Sequence, residues 1–186
     1  MLNWLIGKIS DIEDEEYNII YSSLSDSRKL HIDKKKKEEA KRCSLLATFL
    51  LNKLLLEAGQ PHAMVETDSC GKPYLKNSEL FISISHSGDS VVAALSDTII
   101  GIDIEKKRPI KKDLIDYICF EEEKKYILGT GNILSNDAIN RFFEVWTTKE
   151  AIFKKGSVKN AGIRSINSLI KNKQTFYLGE YCITIV

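Results

Sequence analysis

Five consecutive residues, Gly101-Ile102-Asp103-Ile104-Glu105, hold the pattern with the most chemical content in this chain. Side chains alternate across a β-strand, so Asp103 and Glu105 share one face while Ile102 and Ile104 turn toward a core. Two carboxylates so placed repel, and a strand holds them together where a cation or a strong donor sits between them. A solvated edge face is the other place for such a pair. Further along, Ile139, Phe142, Phe143, Trp146 and Phe153 form one apolar stripe at about 100° per residue, and Lys149 and Glu150 land inside it. Lys154 borders Glu150 one helical turn on. Charges on an inward helix face suit a site, and an ion pair facing solvent is the alternative. Ser85-His86-Ser87-Gly88 adds hydroxyls and an imidazole at a strand end, and Gly71-Lys72-Pro73 adds a cation on a rigid turn. A lone histidine is more often structural, and serine beside histidine in sequence is not the geometry of a nucleophile and its base.

The elements that must position these groups follow from periodicity. Cys43, Leu46, Phe49, Leu50 and Leu54 recur at helical spacing, which predicts a long amphipathic helix opening at Asp33 or a neighbour and stopped by Gly59 and Pro61. Alternation over 80–88 predicts a strand that ends in a polar loop. Two more strand-like runs, 91–95 and 99–104, flank Ser96-Asp97-Thr98 and are expected to form a hairpin. Residues 114–128 read as a helix, 129–136 as a loop, 137–155 as a helix, and the tail (176–178 and 181–186) as closing strands. The chain divides near residue 100, and an α+β fold is expected. No repeat is clear enough to establish duplication.

Composition bounds the rest. The chain has 186 residues, 43% of them hydrophobic and 28% charged, as in globular proteins generally. The longest apolar run, 45–51, is cut by Asn52 and Lys53, well short of the roughly 20 residues a bilayer span needs, so no membrane span is expected. The N-terminus lacks a basic leader and a small-residue cleavage site, which points to the cytoplasm. Cys43, Cys70, Cys119 and Cys182 are far apart in sequence and read as reduced thiols, not as a zinc ribbon or a thioredoxin-like pair. A net charge of +1 argues against a nucleic-acid partner. Residues 28–42, however, hold eight Lys or Arg against three acids, enough to attract phosphates or an acidic partner. A solvated helix start is the plainer account of that segment.

Taken in order, Gly71-Lys72-Pro73, Ser83-Ile84-Ser85-His86-Ser87, Gly101-Ile102-Asp103-Ile104-Glu105 and Trp146-Thr147-Thr148-Lys149-Glu150-Ala151 with Lys154 resemble the 4′-phosphopantetheinyl transferase superfamily. The long helix behind a basic segment is similar to the single-chain branch typified by the surfactin-synthetase activator, not to the shorter trimeric synthases. The resemblance implies two pseudo-symmetric α+β lobes, 1–100 and 101–186, with coenzyme A in the cleft between them, in a monomer. It implies Asp103, Glu105 and Glu150 as Mg²⁺ ligands. Lys72, Ser85, His86 and Lys154 are implied as contacts to coenzyme A phosphates, and Arg28, His31 and Arg42 fall near the family's basic positions for the 3′-phosphate. The implied reaction is attack of a serine hydroxyl of an apo acyl or peptidyl carrier protein on the phosphorus bearing the pantetheine arm. Adenosine 3′,5′-bisphosphate leaves; Glu150 or a metal-bound water is the base, and Lys154 assists the leaving phosphate. A non-catalytic relative that binds coenzyme A or a carrier is the alternative. A Mg²⁺-dependent nucleotide phosphohydrolase is a third, without a P-loop to support it.

Three departures from the family pattern stand out. Ser83 replaces a common Asn, and Cys43 replaces the Arg that usually precedes Ser-Leu-Leu, with Arg42 projecting about 100° away around the helix. The usual glycine-rich turn after Lys155 is replaced by a segment running from Gly156 to Gly162.

Overall fold

In the computed structural model, which describes residues 1–129, 135–156 and 162–186, the chain divides into two units, Met1–Ile100 and Gly101–Val186. Strand β5 (Ser90–Ser96) is the middle of the first unit's sheet, with β1 (Leu2–Lys8) and β4 (Phe81–Ser87) antiparallel on its two edges. As a central strand it is buried from end to end. Helix α3 (Glu38–Glu57) packs on it. Leu46, Leu50, Leu51, Leu54 and Leu55 of α3 join Val91, Ala93 and Leu95 in one cluster, each leucine contributing roughly 2 kcal/mol by leaving water. The helix stops where Gly59 takes a φ of +70°, a conformation glycine adopts without a Cβ penalty. Ahead of α3 come α1 (Asp14–Ser22) and α2 (Asp26–Asp33). A separate hairpin pairs β2 (Met64–Thr67) with β3 (Pro73–Lys76).

The second unit has its own antiparallel sheet, β6 (Ile102–Lys106), β8 (Tyr181–Ile185) and β7 (Gln174–Leu178) in that spatial order. Helix α6 (Asn136–Lys155) lies on β6 and β8. Its start is capped by Ser135, whose side chain accepts from the Ala138 amide at 3.1 Å, and its end by Gly156 in the left-handed conformation. Each unit thus sets a 20-residue helix against a three-stranded antiparallel sheet, the α+β architecture expected. Among the described residues no helix is long and apolar enough to cross a membrane.

Four readings of the sequence change. The hairpin expected across 96–98 does not form, because β5 already has a strand on each edge and β6 pairs with β8. The long helix begins at Glu38, since Asp33 closes α2, and Phe49 lies on its exposed side. Residues 114–128 form two helices, α4 (Lys112–Ile118) and α5 (Glu121–Leu128), broken by extended backbone at Cys119 and Phe120. Phe153, placed in the α6 stripe, is exposed. Most of the loop read over 129–136, and of the segment after Gly156, lies outside the described residues.

The junction of β6 with α6 is unusually close. A Cβ at Gly101 would sit 1.9 Å from the Ala151 carbonyl oxygen, which is backbone and has nowhere to go. Gly101→Ala is therefore expected to cost at least about 3 kcal/mol, read as a loss of the folded baseline or a large drop in thermal midpoint.

Helix α6 also carries two carboxylate networks in the second unit. Burial pushes the Glu123 carboxyl up, but hydrogen bonds from Lys149, Ser168 and the Phe120 amide outweigh it and hold Glu123 below the usual range. Glu144 is likewise raised by burial and lowered further by Lys173, Tyr126 and Tyr177. A carboxyl depressed on folding stabilises the fold above its unfolded value, about 4.3. That contribution is lost as pH falls through the folded value. Thermal midpoints should thus hold steady down to about pH 5 and fall steeply below about pH 4.3. Glu123→Gln should lower the neutral-pH midpoint and flatten the acid limb.

Candidate active site

Strand β6 and helix α6 meet through three successive turns of the helix. Trp146 Nε1 donates to Glu105 Oε1 at 3.2 Å, and Lys154 Nζ donates to Asp103 Oδ1 at 2.6 Å. Positions 146, 150 and 154 follow one another at one-turn spacing and so line a single face. With its ends tied to Glu105 and Asp103, that face carries Glu150 between them. Charge reports the same neighbourhood. Burial and then Asp103 push the Glu150 carboxyl above its usual range, Lys154 draws it partly back, and Glu105 raises it again. Asp103 is only 3% exposed. Opposite it on β8 stands Thr184, whose hydroxyl is 2.7 Å from that of Thr147 on α6. Sequence periodicity treated Trp146 as an apolar stripe residue; its indole N–H, the one polar group of that side chain, donates to Glu105, which Arg108 also approaches at 3.8 Å.

Lys149 parts company with Glu150. It is fully buried and pairs at 2.8 Å with Glu123 of α5. Glu123 carried no distinguishing signal in sequence, being the last of three consecutive glutamates.

The first unit gathers a second set. Lys72 is exposed on the turn between β2 and β3, where the Asp68 carboxylate accepts from the Cys70 and Lys72 amides at 2.9 and 2.8 Å. Gly71 has a φ of +86°, and a Cβ there would lie 3.6 Å from His31 Cε1. The His31 ring of α2 therefore rests on the Lys72 turn. Burial, and then Lys35, Arg28 and Lys34, lower the His31 pKa, so the imidazole sits in a positive field that favours an anion. On β4, Ser85 is buried and His86 exposed, opposite Val92 and Val91 of β5.

Both arginines of the expected phosphate group are committed within this unit. Arg28 is 1% exposed. Its guanidinium donates to Thr67 Oγ1 at 2.8 Å, Thr48 Oγ1 at 2.9 Å and the Ser44 carbonyl at 3.3 Å, tying α2 to α3 and β2. Arg42 pairs with Asp14, donates to the Ile12 carbonyl at 3.2 Å and lies 5.5 Å over the Tyr17 ring, tying α3 to α1. Cys43 is packed in the first unit's core. Of the three positions, His31 is the one brought to the Lys72 turn.

Asp103, Glu105 and Glu150 are hard oxygen donors of the kind Mg²⁺ takes, and their mutual repulsion is a demand for positive charge. Among the described residues no group of three or more His, Cys, Asp or Glu is gathered tightly enough to hold an ion. The Lys154 ammonium instead supplies the charge at Asp103. The donor chemistry fits a divalent cation, with Lys154 occupying one of its carboxylates.

Residues 99–184 match the family model described as the 4′-phosphopantetheinyl transferase superfamily, a span that holds Asp103, Glu105, Glu150 and Lys154. The chain is 26% identical over 158 residues to the 4′-phosphopantetheinyl transferase gsp of Aneurinibacillus migulanus, covering 83% of this chain and 65% of that one. It is 32% identical over 120 residues to the 4′-phosphopantetheinyl transferase psf-1 of Bacillus pumilus, covering 61% and 49%. To the 4′-phosphopantetheinyl transferase Sfp of Bacillus subtilis it is 28% identical over 122 residues, covering 63% and 53%. The aligned part thus spans between 49% and 65% of these curated relatives' lengths.

Lys154→Met removes the ammonium from a buried aspartate. Because Lys154 is itself 28% exposed, the expected cost is discounted to about 1–2 kcal/mol. Adding Asp103→Asn should restore most of it in a double-mutant cycle of urea unfolding.

Proposed function

We propose, from the family-model match over residues 99–184 and the similarity to curated transferases, that the chain is a member of the 4′-phosphopantetheinyl transferase superfamily and moves the 4′-phosphopantetheine arm of coenzyme A to a serine hydroxyl of an apo acyl or peptidyl carrier protein. The observation that carries this reading is the α6 face of Trp146, Glu150 and Lys154 set against Asp103 and Glu105. In the reaction the serine oxygen bonds to the phosphorus bearing the arm, the bond to the bridging oxygen breaks, and adenosine 3′,5′-bisphosphate leaves. Positioning and charge neutralisation supply most of the acceleration in such transfers.

Each residue then has a task. Asp103, Glu105 and Glu150 would hold Mg²⁺, which when bound offsets the charge of the coenzyme A pyrophosphate. Glu150 takes the serine proton. Lys154, released from Asp103, meets the leaving phosphate. Lys72 and His31 receive the 3′-phosphate, and Ser85 and His86 contact coenzyme A phosphates. Arg28 and Arg42 serve from within the fold, Arg28 adding charge next to His31 without direct contact. Lys106, Lys107 and Arg108, with the basic stretch 28–42, offer positive charge to the acidic helices of a carrier. We place the protein in the cytoplasm as a monomer; its four free thiols suit a reducing compartment.

A binding-only relative is the second reading, favoured by carboxylates that are not gathered into a ligating cluster. One experiment separates the two. The protein is incubated with coenzyme A, Mg²⁺ and a panel of apo carrier proteins, and intact carrier mass is read. The expected result is a gain of one phosphopantetheine arm, lost on adding EDTA. Coenzyme A binding without a mass gain on any carrier would favour the binding-only reading. Asp103→Ala should cut the transfer rate at least about a hundredfold with the circular-dichroism spectrum unchanged. Full activity in that variant would overturn the metal assignment.

A further inference from the structure

Lys149 stands next to Glu150 in sequence, yet nothing in the proposed reaction uses it. Its ammonium is fully buried and has three partners: Glu123 at 2.8 Å, the Ile166 carbonyl, and the face of the Phe120 ring at 4.6 Å. Glu123 is equally committed. Its Oε1 accepts from the Ser168 amide at 2.9 Å and the Ser168 hydroxyl at 2.6 Å. Its Oε2 accepts from Lys149 at 2.8 Å and from the Phe120 amide at 2.9 Å. A carboxylate has about four acceptor positions, and all are taken. Lys173 holds the remaining polar group of Ser168, its carbonyl, at 3.2 Å, and reaches back to Glu144 of α6 at 2.9 Å. No atom of the pair is left to receive a ligand.

A buried ion pair is weak support for stability, since apolar residues of similar volume often do as well. What it supplies is direction. An apolar helix face can rotate by a fraction of a residue and still stay packed, whereas a saturated pair has one arrangement. Lys149 and Glu150 project about 100° apart around α6, so the angle at which Lys149 meets Glu123 sets the angle at which Glu150 meets β6. We propose that Lys149 is a positioning residue whose ion pair with Glu123 fixes the rotation of α6 about its axis, holding Trp146, Glu150 and Lys154 against Glu105 and Asp103. This rests on the transferase reading for its kinetic consequence, though not for its structural one.

The test is the paired variant Lys149→Met with Glu123→Leu in the full chain, which replaces the ion pair by apolar volume. Its thermal midpoint should fall, because Glu123→Leu also leaves the Ser168 and Phe120 amides without their acceptor, and the spectra are read well below that midpoint. The Trp146 indole N–H resonance, assigned by comparison with Trp4→Phe, should shift upfield as its bond to Glu105 lengthens. In transfer assays kcat should fall about tenfold while KM for coenzyme A stays within about twofold. An unmoved indole resonance overturns the proposal, whatever the kinetics. If the parent transfers nothing, the transferase reading fails, and the resonance still decides the role of Lys149. Should the paired variant not fold, Ser168→Ala, which removes one bond to Glu123, takes its place. The proposal then expects a smaller shift of the same resonance, and an unchanged spectrum overturns it.

Discussion

Helix α6 comes so near the start of β6 that the Ala151 carbonyl oxygen occupies the space a side chain would need at position 101. Only glycine admits that approach, and much of the candidate site follows from it. With the helix this close, an indole and an ammonium from turns on either side of Glu150 reach two carboxylates on the strand. The same closeness strips water from Asp103 and Glu150, and burial is the largest cause of the raised Glu150 proton affinity. A glycine without a functional group thereby shapes the surroundings of Asp103 and Glu150.

The helix is also the second unit's distributor of charge. It sends Glu144 to Lys173, Lys149 to Glu123, and Lys154 to Asp103, in three different directions. Burying charge is costly unless every polar atom finds a partner. The first two pairs meet that condition with tyrosine hydroxyls, backbone amides and the Ser168 hydroxyl. The third differs in that its lysine remains 28% exposed, so it is the pair a ligand can reach and exchange. On the proposed reading, the closed pairs orient the helix and the Lys154–Asp103 pair serves the chemistry. The first unit divides its cations similarly. Arg28 and Arg42 tie helices together, while His31 and Lys72 stay at a turn where an anion can approach.

Local periodicity carried much of the architecture. The α6 stripe, the strand over 80–88, the tail strands and the α+β class were all legible, because burial repeats along the chain at the period of the element that imposes it. Asp103 and Glu105 were legible as a pair for the same reason. The elements that escaped were those whose identity depends on neighbours. Strand β1 became a strand because β5 offers it an edge, and the break at Phe120 exists because its amide is taken by the Glu123 side chain.

Sequence alone determined which residue types bear charge, where apolar faces recur, and that an ordered set of motifs resembles a known family. Only the tertiary structure decided where each charge is spent. Arg28 and Lys149 look as available in one dimension as Lys72 and Lys154, yet the first two are buried and engaged inside the fold. The physical reason is separation along the chain. Lys154 finds Asp103 51 residues away and Trp146 finds Glu105 41 residues away, distances at which no local pattern constrains a side chain and only packing brings partner to partner.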